Sequence, residues 1–200
     1  MAIFDDLVAE VYTITKRPDL IADTESAVKA ATLKAHQTDY YSQDLVLAAE
    51  TDLGSSDYQH SYDYVAGLDN FRRLKYFSRL DNTGDLLEDG TFLCIIEVEE
   101  MLDSYGVMRK DIAYTAGNAI VIRAQVDFQY ALIAYYALPI VIKATYASWI
   151  ADSFPNAIVL EAARRIFLTI GYQEQSASML RLVAEEYKEL RSSNLPVVGY

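Results

Sequence analysis

The residues able to do chemistry are few and scattered. Only two histidines occur, His36 and His60, 24 positions apart, the first in a helical pattern and the second in a strand pattern. That spacing suits neither a metal site nor a catalytic triad, so both are expected to be hydrogen-bonded or partly exposed structural residues. The densest acidic group is Glu97, Glu99, Glu100 and Asp103. If residues 96–102 were helical, Glu99 and Asp103 would share a face at i, i+4 and could bind a cation or share a proton. A solvated acidic face is the plainer expectation, and the spacing does not follow an EF-hand loop. The one cysteine, Cys94, lies in the apolar run Phe92-Leu93-Cys94-Ile95-Ile96, where a small buried hydrophobe is expected rather than a nucleophile. No glycine-rich phosphate loop, dinucleotide fingerprint, HExxH or GxSxG is present. The expectation is a protein without catalysis, metal or cofactor.

Basic residues gather at Arg72, Arg73, Lys75 and Arg79. On a strand, Arg73, Lys75 and Arg79 would share a face with Phe71 and Phe77, a pattern that can stack and neutralise nucleic acid. The whole chain carries a formal charge of −12, which repels phosphate at long range. A salt-bridged sheet face meeting an acidic neighbour, with these four residues as inter-subunit contacts, is the better reading. The C-terminal residues Leu195, Pro196, Val197, Val198, Gly199 and Tyr200 form an apolar tail that no helix claims. Left in water it would expose apolar surface, so it either folds back on its own core or docks into a partner's groove or sheet edge.

The elements that must position these residues follow from hydrophobic period. Phe4, Leu7, Val8, Val11 and Tyr12 make a helical stripe with Asp5 and Asp6 in the first turn, stopped by Arg17-Pro18. A second helix, capped by Asp23 or Thr24, runs through Ala27, Ala30, Ala31 and Leu33 to about His36. From residue 39 the period becomes that of strands: 44–49 and 58–65 flank a turn-rich stretch at 52–57, and 71–80 ends at the turn signal Asn82-Thr83-Gly84. Residues 92–98 are too short a run to separate strand from helix start. A hairpin follows, 112–114 and 119–123 about Ala116-Gly117-Asn118. A strand at 128–138 is apolar on both faces and therefore central or covered. The helical period returns beyond Trp149. One helix starts near Ser153 and Pro155, carries Val159, Ala163, Ile166, Phe167 and Ile170, and closes at Gly171. A last helix, 173–191, is expected to bury Ala177, Leu180, Val183, Ala184, Tyr187 and Leu190.

With 200 residues, 52% hydrophobic and 23% charged, the chain is expected to fold as one α+β domain. A helical bundle from both ends (1–38 and 143–191) would carry an antiparallel β-rich insertion (39–142), followed by an extended tail (192–200). Sixteen tyrosines against one tryptophan suit half-buried sheet faces and interfaces. The acidic N-terminus lacks a signal-peptide pattern, and the longest apolar stretch, 131–142, is too short for a membrane span and contains Pro139. These features fit a reducing cytoplasm.

Several segments together resemble the head–tail connector (adaptor, or head-completion) proteins of tailed bacteriophages. They are Arg17-Pro18-Asp19-Leu20 with 24–36, Phe71-Arg72-Arg73, Tyr114-Thr115-Ala116-Gly117 through Ile122, and Tyr135-Tyr136-Ala137-Leu138-Pro139. Trp149-Ile150-Ala151-Asp152 leading to Ala157-Ile158-Val159 and Gly171 completes the set, and its order covers most of the chain. The resemblance implies a homo-oligomeric ring, commonly of twelve subunits, bound beneath the portal at the capsid vertex. It implies a location in the virion neck after assembly in the host cytoplasm. DNA would pass through the channel without specific binding, and tail or tail-spike components would attach below. The tail residues Leu195, Pro196, Val197, Val198 and Tyr200 become the candidate portal-binding element. A tyrosine-rich sheet that binds carbohydrate or another ligand is the alternative, and a small carboxylate enzyme using Glu99 and Asp103 a remote one.

Overall fold

The computed structural model describes residues 3–81, 85 and 92–194. In chain order the elements are α1 (Ile3–Thr15), α2 (Ile21–Gln37), β1 (Leu45–Asp63), α3 (Tyr64–Gly67), β2 (Phe71–Leu80), β3 (Phe92–Ile95), β4 (Ile112–Ala116), β5 (Ala119–Ala137), α4 (Trp149–Ser153), α5 (Pro155–Thr169) and α6 (Gln173–Ser193). Helices thus stand at both ends of a central β region. Where the sequence suggested a single domain, the chain divides into two compact units. One takes residues 1–44 and 138–200, and the other the insertion 45–137. The insertion is therefore shorter at each end than the 39–142 read from the pattern.

In the helical unit the expected stripe of α1 is buried: Phe4, Leu7, Val8 and Val11 are at most 8% exposed. They pack with Ala27, Val28 and Ala31 of α2 and with Ala157, Ile158, Ala162 and Ile166 of α5. Small alanines on α2 and α5 let these helices approach closely. α2 starts at Ile21, and neither Asp23 nor Thr24 caps it; Thr24 lies inside the helix, fully buried. The helix after Trp149 comes in two pieces. Ser148 caps α4, its oxygen accepting from Ala151 N, and Pro155 opens α5 after a break at Phe154. α5 ends as the sequence indicated. Gly171 has φ +82°, Gly171 N donates to Leu168 O, and Tyr172 N donates to Phe167 O. The Phe167 and Tyr172 rings stack at 6.3 Å across this turn, the apolar contact that completes a Schellman cap. On α6 the buried stripe is Ser176, Val183, Tyr187 and Leu190. Ala177, Leu180 and Ala184 are exposed instead, lying one helical row to the side of that stripe.

In the β unit, the two strands expected around residues 52–57 are one 19-residue strand. The turn-rich stretch is absorbed by bulges: register slips between Ala48 and Thr51, between Asp52 and Asp57, and between Asp57 and Gln59. Gly54, at φ +95°, takes the left-handed backbone there, and its N–H donates to Asp52 Oδ1. β5 likewise merges the second hairpin strand with the strand expected at 128–138. It is central, as its two apolar faces required: β1 runs antiparallel along one edge, while β4 and β2 share the other, at 119–123 and 130–137. β3 then joins β2 to β4, pairing antiparallel with β2 and parallel with β4. An insertion with purely antiparallel pairing is thus not what forms.

The pairings β5–β2–β3–β4–β5 close on themselves around one core. Ile120, Ile122 and Ala124 enter it from the first half of β5, and Ala131, Ile133 and Tyr135 from the second. Inward-facing positions are even as far as Phe128 and odd from Ala131 onward, so the alternation resets between them and a single strand serves both halves of a curved sheet. Ile120, Ile122, Ile133 and Phe77 are fully buried, each contributing about 1.5–3 kcal/mol of hydrophobic stabilisation.

Candidate functional site

The basic residues of β2 do not form one face. Register slips between Phe71 and Arg73, and between Leu74 and Tyr76, reset the alternation so that Leu74 and Phe77 point into the core. Arg79 follows Phe77 inside and is 2% exposed, because β2 is flanked by β5 and β3 at that end. Lys75 stays outside, its Nζ 6.0 Å from the centre of the Tyr136 ring. Arg72 and Arg73 reach a cleft of about 460 Å³ with Tyr64, Phe71, Ile95 and Glu97. At its rim Arg73 Nη2 stands 3.5 Å from Glu97 Oε1, so the basic and acidic groups meet in an exposed ion pair. Such a pair is worth little by itself.

The cleft's aromatic floor is already occupied. Phe71 packs against Tyr64 at 4.2 Å and against Tyr135 at 5.6 Å, and Tyr64 Oη donates to Gly117 O. Phe71 is thus packed into the unit's own aromatic cluster and only partly exposed. The tyrosines divide between roles: Tyr41, Tyr114, Tyr135, Tyr136 and Tyr187 are buried, while Tyr105 is 90% exposed.

The acidic pair does not take the helical geometry that its chemistry would need. Only a short 3-10 turn, Val98–Glu100, forms, and Asp103 lies beyond it. The Asp103 carboxylate accepts from Tyr105 N and Val107 N, pinning its own loop. Among the described residues no cluster of three or more His, Cys, Asp or Glu is placed to hold a metal ion. Cys94 is exposed, not buried: on β3 its neighbour Leu93 takes the inward position.

Two polar groups of the helical unit were not legible as sites. The first joins His36, Asp44, Ser148 and Trp149. His36 Nδ1 lies 2.8 and 2.9 Å from the two Asp44 oxygens, and its Nε2 is 2.9 Å from Ser148 Oγ. Trp149 Nε1 donates to Asp44 Oδ1 at 2.7 Å. The carboxylate only accepts, so Nδ1 is a donor. The order Ser–His–Asp is that of a nucleophile relay. Here, however, His36 is 1% exposed and Ser148 8%, and Ser148 Oγ also accepts the Ala151 N–H. The array ties the end of α2 and the start of α4 to the last residue before β1. His60 is also internal, its Nε2 donating to Asp57 O and Phe128 O.

The second group surrounds Glu161, whose side chain is fully buried. Its Oε1 accepts from Lys34 at 2.9 Å, Arg164 at 2.9 Å and Arg165 at 3.0 Å, and its Oε2 from Arg164 at 2.8 Å. Burial alone would raise this carboxyl. Hydrogen bonds and charge from Arg164 and Lys34 outweigh that and hold it at about 2. Burial and the nearby Glu161 charge push the Tyr187 hydroxyl well above its usual range.

The candidate tail, Leu195, Pro196, Val197, Val198 and Tyr200, lies outside the described residues. The point from which it leaves is defined. Asn194 Oδ1 accepts from Ser42 N, and its Nδ2 donates to Tyr40 O, both at 3.1 Å. No helix among the described residues is long and apolar enough to cross a membrane. Neither the comparison with protein-family models nor that with curated proteins gives a match.

Proposed function

We propose that this chain is a head–tail connector of a tailed bacteriophage, a virion structural protein that works by binding rather than catalysis. One observation carries the reading: the two helical ends of the chain build one compact unit, while residues 45–137, rich in strands, form a second. That is the division of labour the resemblance implies. The helices act as a bundle in a ring, commonly of twelve copies, beneath the portal, and the largely antiparallel insertion supplies surface for neighbours or tail components. The tail beginning at Leu195 engages the portal. Its anchor at Asn194 supports this, because a binding segment gains from a fixed point of departure. Arg72, Arg73 and Lys75 contact acidic neighbouring subunits.

Charge supports the channel role. The insertion carries fifteen acidic and seven basic residues, net −8, and the rest of the chain fourteen and ten, net −4. A wall with excess carboxylate repels DNA phosphate and lets it pass without being held.

The test is mass photometry and negative-stain imaging of the purified protein with and without portal rings. Ring-shaped density beneath the portal is expected, and a chain ending at Asn194 should dock more weakly while remaining folded. A protein that stays monomeric and ignores portal would overturn the reading.

A further inference from the structure

We infer that neighbouring copies of this chain join knob into cleft: the hairpin at residues 101–109 of one β unit seats Tyr105 in the cleft that Arg72 and Arg73 line on the next. The contact deepens the ring proposed above and rests on that reading.

The knob is built to project. Leu102 bridges to Met108, Arg109 N donates to Met101 O, and Asp103 N donates to Val107 O. The Asp103 carboxylate accepts from Tyr105 N and Val107 N, and Gly106 takes φ +76° at the turn. These bonds fix the loop before a partner arrives, which lowers the ordering cost of binding. At its tip Tyr105 is 90% exposed, and no other large apolar side chain among the described residues exceeds 65%. Leu102 and Val107 stand exposed beside it. A held tyrosine flanked by apolar groups leaves apolar surface in water and is the kind of residue that dominates protein contacts.

Charge selects what receives it. Residues 98–108 carry Glu99, Glu100 and Asp103 and no basic residue, with Arg109 and Lys110 following at the base. Such a tip is repelled by nucleic acid and by anionic lipid, and it fits a concave protein surface with basic walls. The cleft of about 460 Å³ in the β unit has that character, its lining joining Arg72 and Arg73 to apolar Tyr64, Phe71 and Ile95, with Glu97 as its acid. A guanidinium has five N–H donors and also packs on aromatic rings. Arg72 and Arg73 can therefore receive both the Tyr105 ring and an incoming carboxylate, while Arg73 keeps its exposed pair with Glu97. The groove between α2 and α5 is a poorer receptor, about 210 Å³ with Asp23 set against Arg165 in its lining. Tyr105 does not fill the cleft of its own copy, because it is exposed there. Knob and cleft are different patches, so each copy offers its knob to one neighbour and its cleft to the other, a head-to-tail contact of the kind that closes into rings.

Photo-cross-linking reads the contact directly. An isotope-labelled chain with p-benzoylphenylalanine in place of Tyr105 is mixed with unlabelled chain and irradiated, with and without portal rings. Links from the labelled tip to residues 64–74, 95–97 or 115–117 of an unlabelled copy are expected. Tyr105→Ala with Glu100→Lys removes the knob, and Arg72→Glu with Arg73→Glu removes the cleft. Each double variant should keep its circular dichroism and assemble about tenfold or more weakly by sedimentation. Mixed at the concentration at which the parent assembles, the two should recover dimers and nothing larger. The intact knob of one meets the intact cleft of the other, and recovery shows that both variants are folded. Links to other surfaces, a mixture that stays monomeric, or variants that assemble like the parent would overturn the contact, while rings beneath the portal would leave the connector reading standing. A parent chain that never assembles, even with portal, would overturn both.

Discussion

Replacing Glu161 by glutamine should destabilise the helical unit and remove a specific part of its acid sensitivity. Three cations converge on one oxygen of this buried carboxylate, at 2.9–3.0 Å. Its carboxyl is held at about 2 against an ordinary 4.5. At about 1.36 kcal/mol per unit, that difference corresponds to at most about 3 kcal/mol of stability. Because the folded value is depressed, this contribution is fully present above pH ~4.5 and is lost as pH falls through about 2. Glutamine keeps the shape but leaves Lys34, Arg164 and Arg165 together without a counter-charge, so the loss at pH 7 should be about 3–5 kcal/mol. The chain's one tryptophan, Trp149, packs against the helical core, so its fluorescence reports unfolding of this unit. With a urea m-value of about 2 kcal/mol/M, the midpoint should fall by about 1.5–2.5 M at pH 7. The variant should also lose less stability than the parent between pH 5 and pH 2. A midpoint within about 0.3 M of the parent, or an unchanged pH slope, would refute the argument.

Two further outcomes follow from the same unit. Asp44→Ala should cost about 2–5 kcal/mol by the same fluorescence assay, since it strands the buried His36 Nδ1–H and Trp149 Nε1–H without their acceptor. A parent-like midpoint would mean that other groups satisfy both donors. Gly171→Ala should cost about 1–2 kcal/mol, because φ there is +82° and no atom lies within 4 Å of the added Cβ. The cost is then one of backbone conformation, and a stabilised variant would contradict the cap assigned to this turn.

Local signals were legible where chemistry along the chain settles the structure. The stripe of α1, the Gly171 cap, the Gly117-Asn118 turn between β4 and β5, and the need to cover both faces of residues 128–138 all follow from residues close in sequence. The helical ends and the β-rich centre follow from the change of hydrophobic period. The candidate site was read less well. Arg72 and Arg73 do reach one cleft, but the bulges that carry Arg79 inside arise from pairing with β5, which the period of β2 does not encode. Glu99 and Asp103 needed a helix that gave way to a 3-10 turn and an Asp103-pinned loop.

By itself the sequence determined composition, charge, the absence of common catalytic motifs, and which segments want to be helix or strand. Each rests on residues within a few positions of one another. Only the tertiary structure decided that two expected strands become β1 and two become β5, since β1 and β5 pair on both sides of 52–57 and bulges absorb the local turn preference there. It alone joined His36 to Asp44 and Ser148, and Lys34 to Glu161, across as many as 127 positions. Long-range burial chose those partners, because a polar group removed from water must find its hydrogen bonds wherever the packed chain supplies them.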